Sequence, residues 1–517
     1  MLQILFGIIL VFIIYYYTVK PMKYWKKKGV KQTTPYWLFG NSFSFICRLK
    51  SLTDFLQECY REHKNERYFG IYLFTAPILV IRDPDLIKQI AIRDCQHFAD
   101  HVQMVPVNDP LWSKNLISLS GQKWHDMRPI VSSNFTNSKM KAMFVLISEA
   151  AQTFVEYVTK KHGLFEFEAE SFLSRFSADV ISSTAFGFKT NSLQDPNNEF
   201  YKTGKGVSSI SSLRANLVMI GQILCPKLCE ALDIQFFSKK DRLFFMNIIN
   251  NNVKEREEQG IIRPDLVNLL LQARKGIKTK NENDTPDVNT GKSVQNEITN
   301  VDIAAHAVVF IIAGFDSNTT LAAFMSYELA VQPDIQDKLR KEIRDTFKKV
   351  GGNLTYEALN KMKYMDMVIS ETMRKWLNFT VTDRLCTKTY VIEPQTANET
   401  ALTLEPGTRI WFPIHAIHND PEYYEDPDKF DPERFSDENK SKINISTYFP
   451  FGIGPRICVG PKFAYLQTKI LFYYLLLNME IVVTAKTKIP PQRARNGIGF
   501  TSAEGGLHLG LKVIKNV

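Results

Sequence analysis

One cysteine near the carboxyl end of the 517-residue chain lies among residues that suit a thiolate ligand. Phe451, Gly454, Arg456, Cys458 and Gly460 form the pattern F-x-x-G-x-R-x-C-x-G, which residue frequencies alone would produce in on the order of one chain in ten thousand. A helical pattern begins just after Cys458, and the positive end of a helix favours thiolate over thiol. Because glycines let the backbone approach a flat ligand, the segment predicts a thiolate beneath a planar metal cofactor.

A second segment places an acid and a hydroxyl inside a long apolar helical stretch. Ala313, Gly314, Phe315, Asp316 and Ser317 follow one another there. The two small residues leave space beside the helix, the acid can carry protons, and a hydroxyl that bonds back to the preceding turn loosens the helix locally. Taken alone, the segment is equally well a buried helix with a few polar residues.

Several charged and aromatic residues have spacings that place them together. Glu371 and Arg374 lie three residues apart on one helix face, and Arg434 follows in a Pro-Glu-Arg-Phe segment. Trp124 and Arg128 lie four residues apart, so both can reach one anionic group. Each pattern alone is common on ordinary helices, and their value comes from their order around the cysteine segment.

Together these motifs resemble those of the cytochrome P450s, and the resemblance covers nearly all of the chain. It implies a fold that is mainly α with small β-sheets, the cytochrome P450 fold behind an N-terminal transmembrane anchor. It implies haem b held by Cys458, whose thiolate pushes electron density that favours O–O cleavage. It also implies a monooxygenase that inserts one oxygen atom from O2 into a small molecule.

The resemblance assigns a role to each matching residue. Asp316 would feed protons and Ser317 would hold water or peroxide, which makes both catalytic. Contact with the haem, its propionates or the oxygen above it is implied for Trp124, Arg128, Phe451, Gly454, Arg456, Gly460, Ala313 and Gly314. A buried ion network is implied for Glu371, Arg374 and Arg434, and contact with substrate is expected for Val309, Ile312 and Ala313.

The chain departs from the family pattern at three places. Ser317 stands where threonine is usual, and because serine is less constrained about χ1 we expect working chemistry with leakier coupling. Leu377 and Asn378 replace paired prolines, and His101 stands where relatives have a propionate-binding arginine. These changes predict either weaker haem retention or a reshaped substrate channel.

The amino terminus carries an apolar run followed by lysines. Residues 2–19 are almost wholly apolar, about the minimum for a membrane-spanning helix, and no charge precedes them. The positive-inside rule places the following basic side in the cytosol. We expect a transmembrane anchor at 1–19, a basic linker at 20–40 and a haem-thiolate catalytic domain at 41–517, on the endoplasmic reticulum membrane. A cleaved signal peptide is the alternative, but neither basic residues nor an A-x-A site support it.

Charge and cysteine content narrow the functional classes. The net charge of +10 favours an acidic partner, and the absence of a zinc-finger or RNA-binding signature disfavours nucleic acid. The seven cysteines are scattered and odd in number, which fits a reduced compartment. Cys225 and Cys229 lie at helical spacing, but further zinc ligands are missing nearby.

Hydrophobic periodicity predicts a mostly helical body. We expect helices at 144–159, 241–259, 335–350 and 464–478, and a long helix that begins with a capping box at Thr299 and stops at Pro333. Short strands are expected at 68–73, 78–81, 391–393 and 408–412. The polar, turn-rich stretch 275–300 is expected to be a connector within one domain.

Several stretches resemble insect microsomal P450s of family six, which points to xenobiotics such as plant toxins or insecticides. The loops at 104–116, 213–228, 377–382 and 501–506 are mainly apolar, so we expect a lipophilic substrate. The chain has no G-x-G-x-x-G segment, the pattern that binds a dinucleotide, so electrons must come from another protein. The resemblance implies NADPH as their source and cytochrome P450 reductase as the carrier. We expect Lys123, Lys462 and Lys469 to dock the acidic surface of the reductase. Cytochrome b5 is a further candidate partner.

Three alternatives stay open. The first is oxidation of an endogenous hormone or pheromone. The second is a related isomerase or dehydratase that needs no oxygen, against which Asp316 and Ser317 both argue. The third is a membrane-tethered haem-binding protein without catalysis.

Overall fold

The structure is a computed structural model that describes residues 3–6, 12, 15–161, 163–276, 298–395, 399–444, 446–496 and 498–514. Of the anchor expected at 1–19, residues 3–6 are helical and Tyr15–Val19 forms a π-helical turn. The other anchor positions, apart from residue 12, and the connector residues 277–297 lie outside the described residues.

The described chain is mainly helical, as predicted. The α-helices are Tyr24–Lys27, Phe43–Ile46, Leu52–Glu62, Pro84–Lys88, Pro110–Ser113, Gly121–Ser132, Asn137–Thr159, Ala169–Ile181, Glu199–Ser208, Leu213–Leu224, Pro226–Ala231, Lys239–Gln259, Leu266–Arg274, Asn300–Ile311, Ser317–Val331, Pro333–Lys349, Tyr356–Asn360, Lys363–Lys375, Ile414–His418 and Pro461–Asn478. The predicted helical runs 144–159, 241–259 and 464–478 fall within these bounds, and the run 335–350 ends one residue beyond its helix.

Three small sheets complete the fold. The strands in chain order, β1 to β9, are Tyr68–Leu73, Ala76–Ile81, Leu164–Glu168, Thr382–Leu385, Tyr390–Ile392, Leu402–Leu404, Arg409–Phe412, Met479–Val483 and His508–Val513. The four-stranded sheet has the order β1-β2-β7-β4, the three-stranded sheet the order β3-β9-β8, and β5 pairs with β6. Strands β2 and β7 run parallel, whereas the other pairs are antiparallel.

A long apolar helical segment, Asn300–Val331, crosses the main hydrophobic core, and we call it the central helix. Thr299 and Asp302 form the predicted capping box, and the next helix begins at Pro333. The sequence predicted one long helix that a back-bonding hydroxyl loosens locally, and residues Ile312–Asp316 form a widened π turn. The hydroxyl of Ser317 donates to the carbonyl of Ala313 across this turn, and such back-bonding disturbs a regular helix.

Candidate active site

The loop that carries Cys458 is closed by short-range hydrogen bonds. The backbone N–H of Cys458 donates to the Phe451 carbonyl at 2.9 Å, and Ile457 N–H donates to the Gly454 carbonyl at 2.9 Å. Gly460 N–H donates to the Cys458 sulfur at 3.3 Å, and the helix Pro461–Asn478 starts at the next residue. The predicted position of the cysteine at a helix amino terminus is therefore present in the structure.

The Cys458 thiol is surrounded by protein yet keeps solvent-accessible surface. Burial raises the pKa of this thiol, whereas the Gly460 N–H and the Arg128 charge oppose the rise. An iron ion bound to the accessible sulfur would replace the proton and hold the sulfur as thiolate.

Gly454 is required by a close contact with another backbone segment. Its φ is +77°, and a Cβ on it would lie 1.9 Å from the carbonyl oxygen of Ala91. The glycine therefore lets the cysteine loop pack on the π turn Gln89–Arg93. Gly460 lies beside the sulfur, since its Cβ would be 4.0 Å from the Cys458 sulfur and 3.6 Å from Phe135.

Phe135 joins the cysteine loop to the central helix. Its ring stacks on Phe310 with centroids 5.6 Å apart and contacts Phe463, on the helix after Cys458, at 6.4 Å. Ala313, one turn after Phe310, is exposed in a helix that is otherwise almost entirely buried. The Phe135 ring therefore joins the cysteine loop, with its accessible Cys458 sulfur, to the central helix, with its accessible Ala313.

The other residues expected beside the oxygen site differ in their placement. Gly314 does not open space above a cofactor, because a Cβ on it would lie 2.6 Å from Ile181 on the neighbouring helix. Its small size serves helix packing. Val309 and Ile312, expected to contact substrate, are 4% and 3% exposed, and the accessible face of this segment instead carries Phe310, Ala313 and Ser317.

Asp316 lies in a partly buried acidic environment. Burial raises the pKa of Asp316 to about 6, although a hydrogen bond from Ser208 and the charge of Lys205 oppose the rise. Burial and the charges of Glu168 and Asp316 also raise the pKa of Glu170 to about 7. A carboxyl with a pKa near neutrality can both accept and release protons, as proton transfer requires.

Arg456, predicted to contact the cofactor, is held by several protein partners. Its guanidinium donates to Asp100 Oδ1 at 2.8 Å and to the carbonyls of Ala99 at 2.6 Å and Leu119 at 3.0 Å. It also lies 4.0 Å from the centre of the Trp124 ring. The sequence could not show this, because the partner Asp100 is far away along the chain.

Arg384 is a candidate site residue that the sequence analysis missed. It is 1% exposed, and its guanidinium donates to the carbonyls of Asp383 at 2.6 Å and Ile453 at 2.5 Å. Burial lowers its pKa to about 10, and the pKa of Arg456 is likewise lowered to about 10 by burial and by the charges of Arg384 and Arg128. The signal in the sequence was an arginine within a short strand.

Arg128 and His101 complete the basic side of the site. Arg128 Nη2 donates to the Ile457 carbonyl at 2.6 Å, one residue before the cysteine. His101, which stands where relatives have an arginine, pairs with an acid: its Nδ1 lies 3.1 Å from Asp383 Oδ1. Burial alone would raise the pKa of Asp383, but His101 and the N–H of Val102 lower it on balance.

The predicted ion network is brought together. Arg374 donates from Nε to Glu371 Oε2 at 2.7 Å and from Nη2 to Oε1 at 2.9 Å, and both side chains are fully buried. Arg434 Nε lies 3.5 Å from Glu371 Oε1. Arg374 also donates to the His418 carbonyl at 2.9 Å, which ties the helix Lys363–Lys375 to the helix Ile414–His418.

These residues fit a haem. An accessible sulfur at a helix amino terminus would supply the iron ligand, and the small residue Ala313 is accessible on the central helix. Arg128 and Arg384 lie close enough to Arg456 for their charges to lower its pKa, so the three guanidiniums form a cluster. Such a cluster calls for anions, and two carboxylates of one planar ligand would provide them.

Comparison with known proteins agrees with this arrangement. The family model described as Cytochrome P450 matches residues 30–509. The chain is 39% identical to Cytochrome P450 9e2 of Blattella germanica over 93% of this chain and 92% of that protein. It is 35% identical to Probable cytochrome P450 9f2 of Drosophila melanogaster over 94% of each, and 33% identical to Cytochrome P450 6k1 of Blattella germanica over 92% and 90%.

The chain belongs to the cytochrome P450 family. As a P450 it is a monooxygenase, and the family implies haem with a cysteine thiolate ligand. When bound, the haem supplies the site at which O2 is activated. The relatives are insect P450s of families nine and six, consistent with the resemblance seen in the sequence.

The surface of this P450 corrects one expectation and limits another. Lys469, expected to dock a reductase, is 3% exposed and pairs with Asp366 at 2.7 Å, whereas Lys123 and Lys462 are exposed. By length and composition alone, two described stretches could span a bilayer, Glu199–Leu224 and Asn300–Val331. The second is the central helix, which is mostly buried.

Proposed function

We propose that this P450 uses Cys458 as the axial thiolate and inserts one oxygen atom from O2 into lipophilic small molecules. The observation that carries the proposal is the accessible Cys458 sulfur beside Gly460 and Phe135, with accessible Ala313 one turn from the Phe310 that stacks on Phe135. Thiolate ligation at one wall and free space at the other are what oxygen activation at a haem needs.

The first experiment is the difference spectrum of the reduced, carbon monoxide-bound protein. We expect a strongly red-shifted Soret band for the natural chain and for Cys47→Ser, a control at an exposed cysteine. Cys458→Ser should lose the band. A haem spectrum without the shift in the natural chain would contradict thiolate ligation and direct attention to His101, Leu377 and Asn378. A chain that takes up no haem would favour the alternative of a binding protein.

In the proposed mechanism, Asp316 accepts a proton from the side of Ser208 and Lys205 and passes it to Ser317, whose hydroxyl holds water beside the reacting oxygen. The near-neutral pKa of Asp316 supports this role. Arg128 and Arg384 would pair with the haem propionates. Trp124 and Arg456 would support that wall through their stacked contact.

The electrons for this reaction are proposed to come from NADPH through cytochrome P450 reductase, with cytochrome b5 as a second partner. The net charge of +10 and the exposed Lys123 and Lys462 support docking of an acidic protein. We expect Lys123→Glu and Lys462→Glu to slow reduction and weaken its salt dependence. Lys254→Glu, at an exposed lysine of the helix Lys239–Gln259, is the control, and equal reduction rates in all variants would contradict this docking site.

The substrate is proposed to be a xenobiotic such as a plant toxin or insecticide. The apolar Phe310 and Ala313 on the accessible face of the central helix support a lipophilic ligand. Oxidation of an endogenous hormone or pheromone is the second candidate, supported by the reshaped Leu377–Asn378 segment. Turnover of many unrelated lipophiles would favour the first, and turnover of a single compound the second.

The protein is proposed to lie on the cytosolic face of the endoplasmic reticulum behind its amino-terminal anchor. Large apolar side chains are exposed on one segment after the helix Glu199–Ser208, namely Leu213, Leu217, Leu224, Leu228 and Leu232. A cluster of that kind suits contact with lipid. Protease added outside sealed microsomes should digest the catalytic domain, and protection of that domain would contradict this topology.

A further inference from the structure

Asn378 contacts the hydroxyl-bearing turn of the central helix directly. Its side-chain Nδ2 donates a hydrogen bond of 2.8 Å to the backbone carbonyl of Ser317, 61 residues earlier in the chain. The contact joins the central helix to the segment 376–381 that follows the helix Lys363–Lys375. Two departures from the family pattern, a serine and an asparagine, are therefore in contact with each other.

The backbone of this segment is fixed on both sides of Asn378. The Thr501 hydroxyl donates to the Leu377 carbonyl at 2.6 Å, and Thr501 N–H donates to the Asn378 carbonyl at 3.0 Å. Two residues later, the hydroxyls of Thr380 and Thr53 lie 2.6 Å apart. Because the backbone is held this way, the side chain of Asn378 has a defined direction toward Ser317.

Stability does not account for an asparagine at this position. Among the described residues, the Asn378 Oδ1 atom is buried and has no hydrogen-bond partner. A buried acceptor without a donor is costly, and an apolar side chain of similar shape is often as favourable as the polar one. A leucine would remove that cost together with the hydrogen bond, so the asparagine points to a role in function.

The contact bears on how the Ser317 hydroxyl is held. Ser317 donates to the Ala313 carbonyl across the π turn Ile312–Asp316, but serine rotates more freely about χ1 than threonine. We propose that Asn378 is a positioning residue that fixes the Ser317 turn from outside the helix and thereby keeps the Ser317 hydroxyl in place during turnover. This inference rests on the role of Ser317 proposed above.

The coupling of electrons to product tests the proposal. The holoenzyme with reductase and NADPH would be compared as the natural chain, Asn378→Leu and Thr380→Val. We expect hydrogen peroxide released per NADPH to rise about fivefold in Asn378→Leu, the effect of one lost hydrogen bond. Thr380→Val alters the same segment without touching Ser317 and should not raise it. Ser317→Thr should restore coupling in the Asn378→Leu background, because threonine restrains its own χ1.

Amide hydrogen exchange of residues 312–321 provides a readout that needs no electrons. We expect exchange there to become about fivefold faster in Asn378→Leu and to stay unchanged in Thr380→Val, with the unfolding midpoint of Asn378→Leu no lower than that of the natural chain. Unchanged exchange in Asn378→Leu would overturn the proposal, as would faster exchange without greater peroxide release. If the natural chain consumes no NADPH, the reductase route is wrong, and exchange alone then decides the role of Asn378.

Discussion

The Arg456 guanidinium donates to Asp100 Oδ1 at 2.8 Å, although 356 residues separate the two. The same oxygen accepts the N–H of Gly121 at 3.1 Å, at the start of the helix that carries Trp124. Asp100 therefore connects the cysteine loop to the helix Gly121–Ser132, which carries Trp124. It also balances an arginine whose pKa is lowered by burial and by neighbouring arginines.

Replacing Asp100 by asparagine should destabilise the fold and loosen the haem. The change leaves Arg456 without its charged partner, and we expect the free energy of unfolding to fall by about 1–3 kcal/mol. Urea unfolding followed by fluorescence and by the haem spectrum would measure both effects. Asp126→Asn removes a carboxylate from the neighbouring helix that accepts only from Gln122 among the described hydrogen bonds, so it should change little.

Gly454→Ala should prevent the cysteine loop from closing. The added Cβ would meet the Ala91 carbonyl, and the positive φ adds strain. Gly452→Ala is a matched control, since its φ is +81° but no atom lies within 4 Å of its Cβ position. We expect Gly452→Ala to cost only the strain of about 1–2 kcal/mol, whereas Gly454→Ala should lose the red-shifted carbon monoxide band. Equal behaviour of the two variants would show that the contact with Ala91 is unimportant.

Asp316→Asn should lower turnover and raise the free energy of unfolding at neutral pH. The pKa of Asp316 is raised from 3.8 to about 6 in the folded protein, so its protonated form stabilises the fold at low pH. That stabilisation is lost as the pH rises through about 6, a difference worth up to about 3 kcal/mol. The variant should therefore be more stable than the natural chain above pH 6 and similar near pH 4, while turnover falls. Thermal unfolding across this range would reveal the crossover.

Glu170→Gln tests whether the neighbouring carboxyl of Glu170 influences proton transfer by Asp316. The variant keeps Asp316 but removes the charge that contributes to mutual repulsion between the two carboxyls. We expect the pH at which turnover declines to move downward, without the loss of turnover expected for Asp316→Asn. An unchanged pH profile would show that Glu170 and Asp316 act independently.

Glu371→Gln should be among the most destabilising single changes in the chain. It leaves two arginines, Arg374 and Arg434, facing a neutral amide, and breaking a buried ion pair costs about 3–5 kcal/mol. Glu433→Gln removes a carboxylate that pairs with exposed Lys338, so it should have a small effect. A comparison of unfolding midpoints in urea would measure both, and similar midpoints would contradict the structural role of the network.

The sequence predicted the elements that depend on local pattern. The four amphipathic helices, the capping box at Thr299, the helix start after Cys458 and four strands all have clear local signals. Strands β3, β4, β6, β8 and β9 were missed, because short strands whose pairing depends on distant parts of the chain carry little local pattern.

The candidate site was predicted less completely than the fold. The Glu371–Arg374 contact follows from spacing and charge, and the resemblance to P450s implied the place of Arg434. The partners of Arg456, Gly314 and Asn378 are set by tertiary packing. Arg384 was missed for the same reason, since its burial depends on the loop at Ile453. The sequence motifs therefore predicted where the site lies in the chain, whereas the contacts of each side chain could be seen only in the structure.

Strand β9, His508–Val513, lies between β3 and β8 in the three-stranded sheet. Its partner β3, Leu164–Glu168, is synthesised long before β9, because most of the described chain lies between the two strands. Until β9 is made, that edge of β3 is unpaired, the state in which nascent chains tend to associate wrongly. Productive folding of this enzyme should accordingly depend on protection of the β3 edge until β9 has been synthesised.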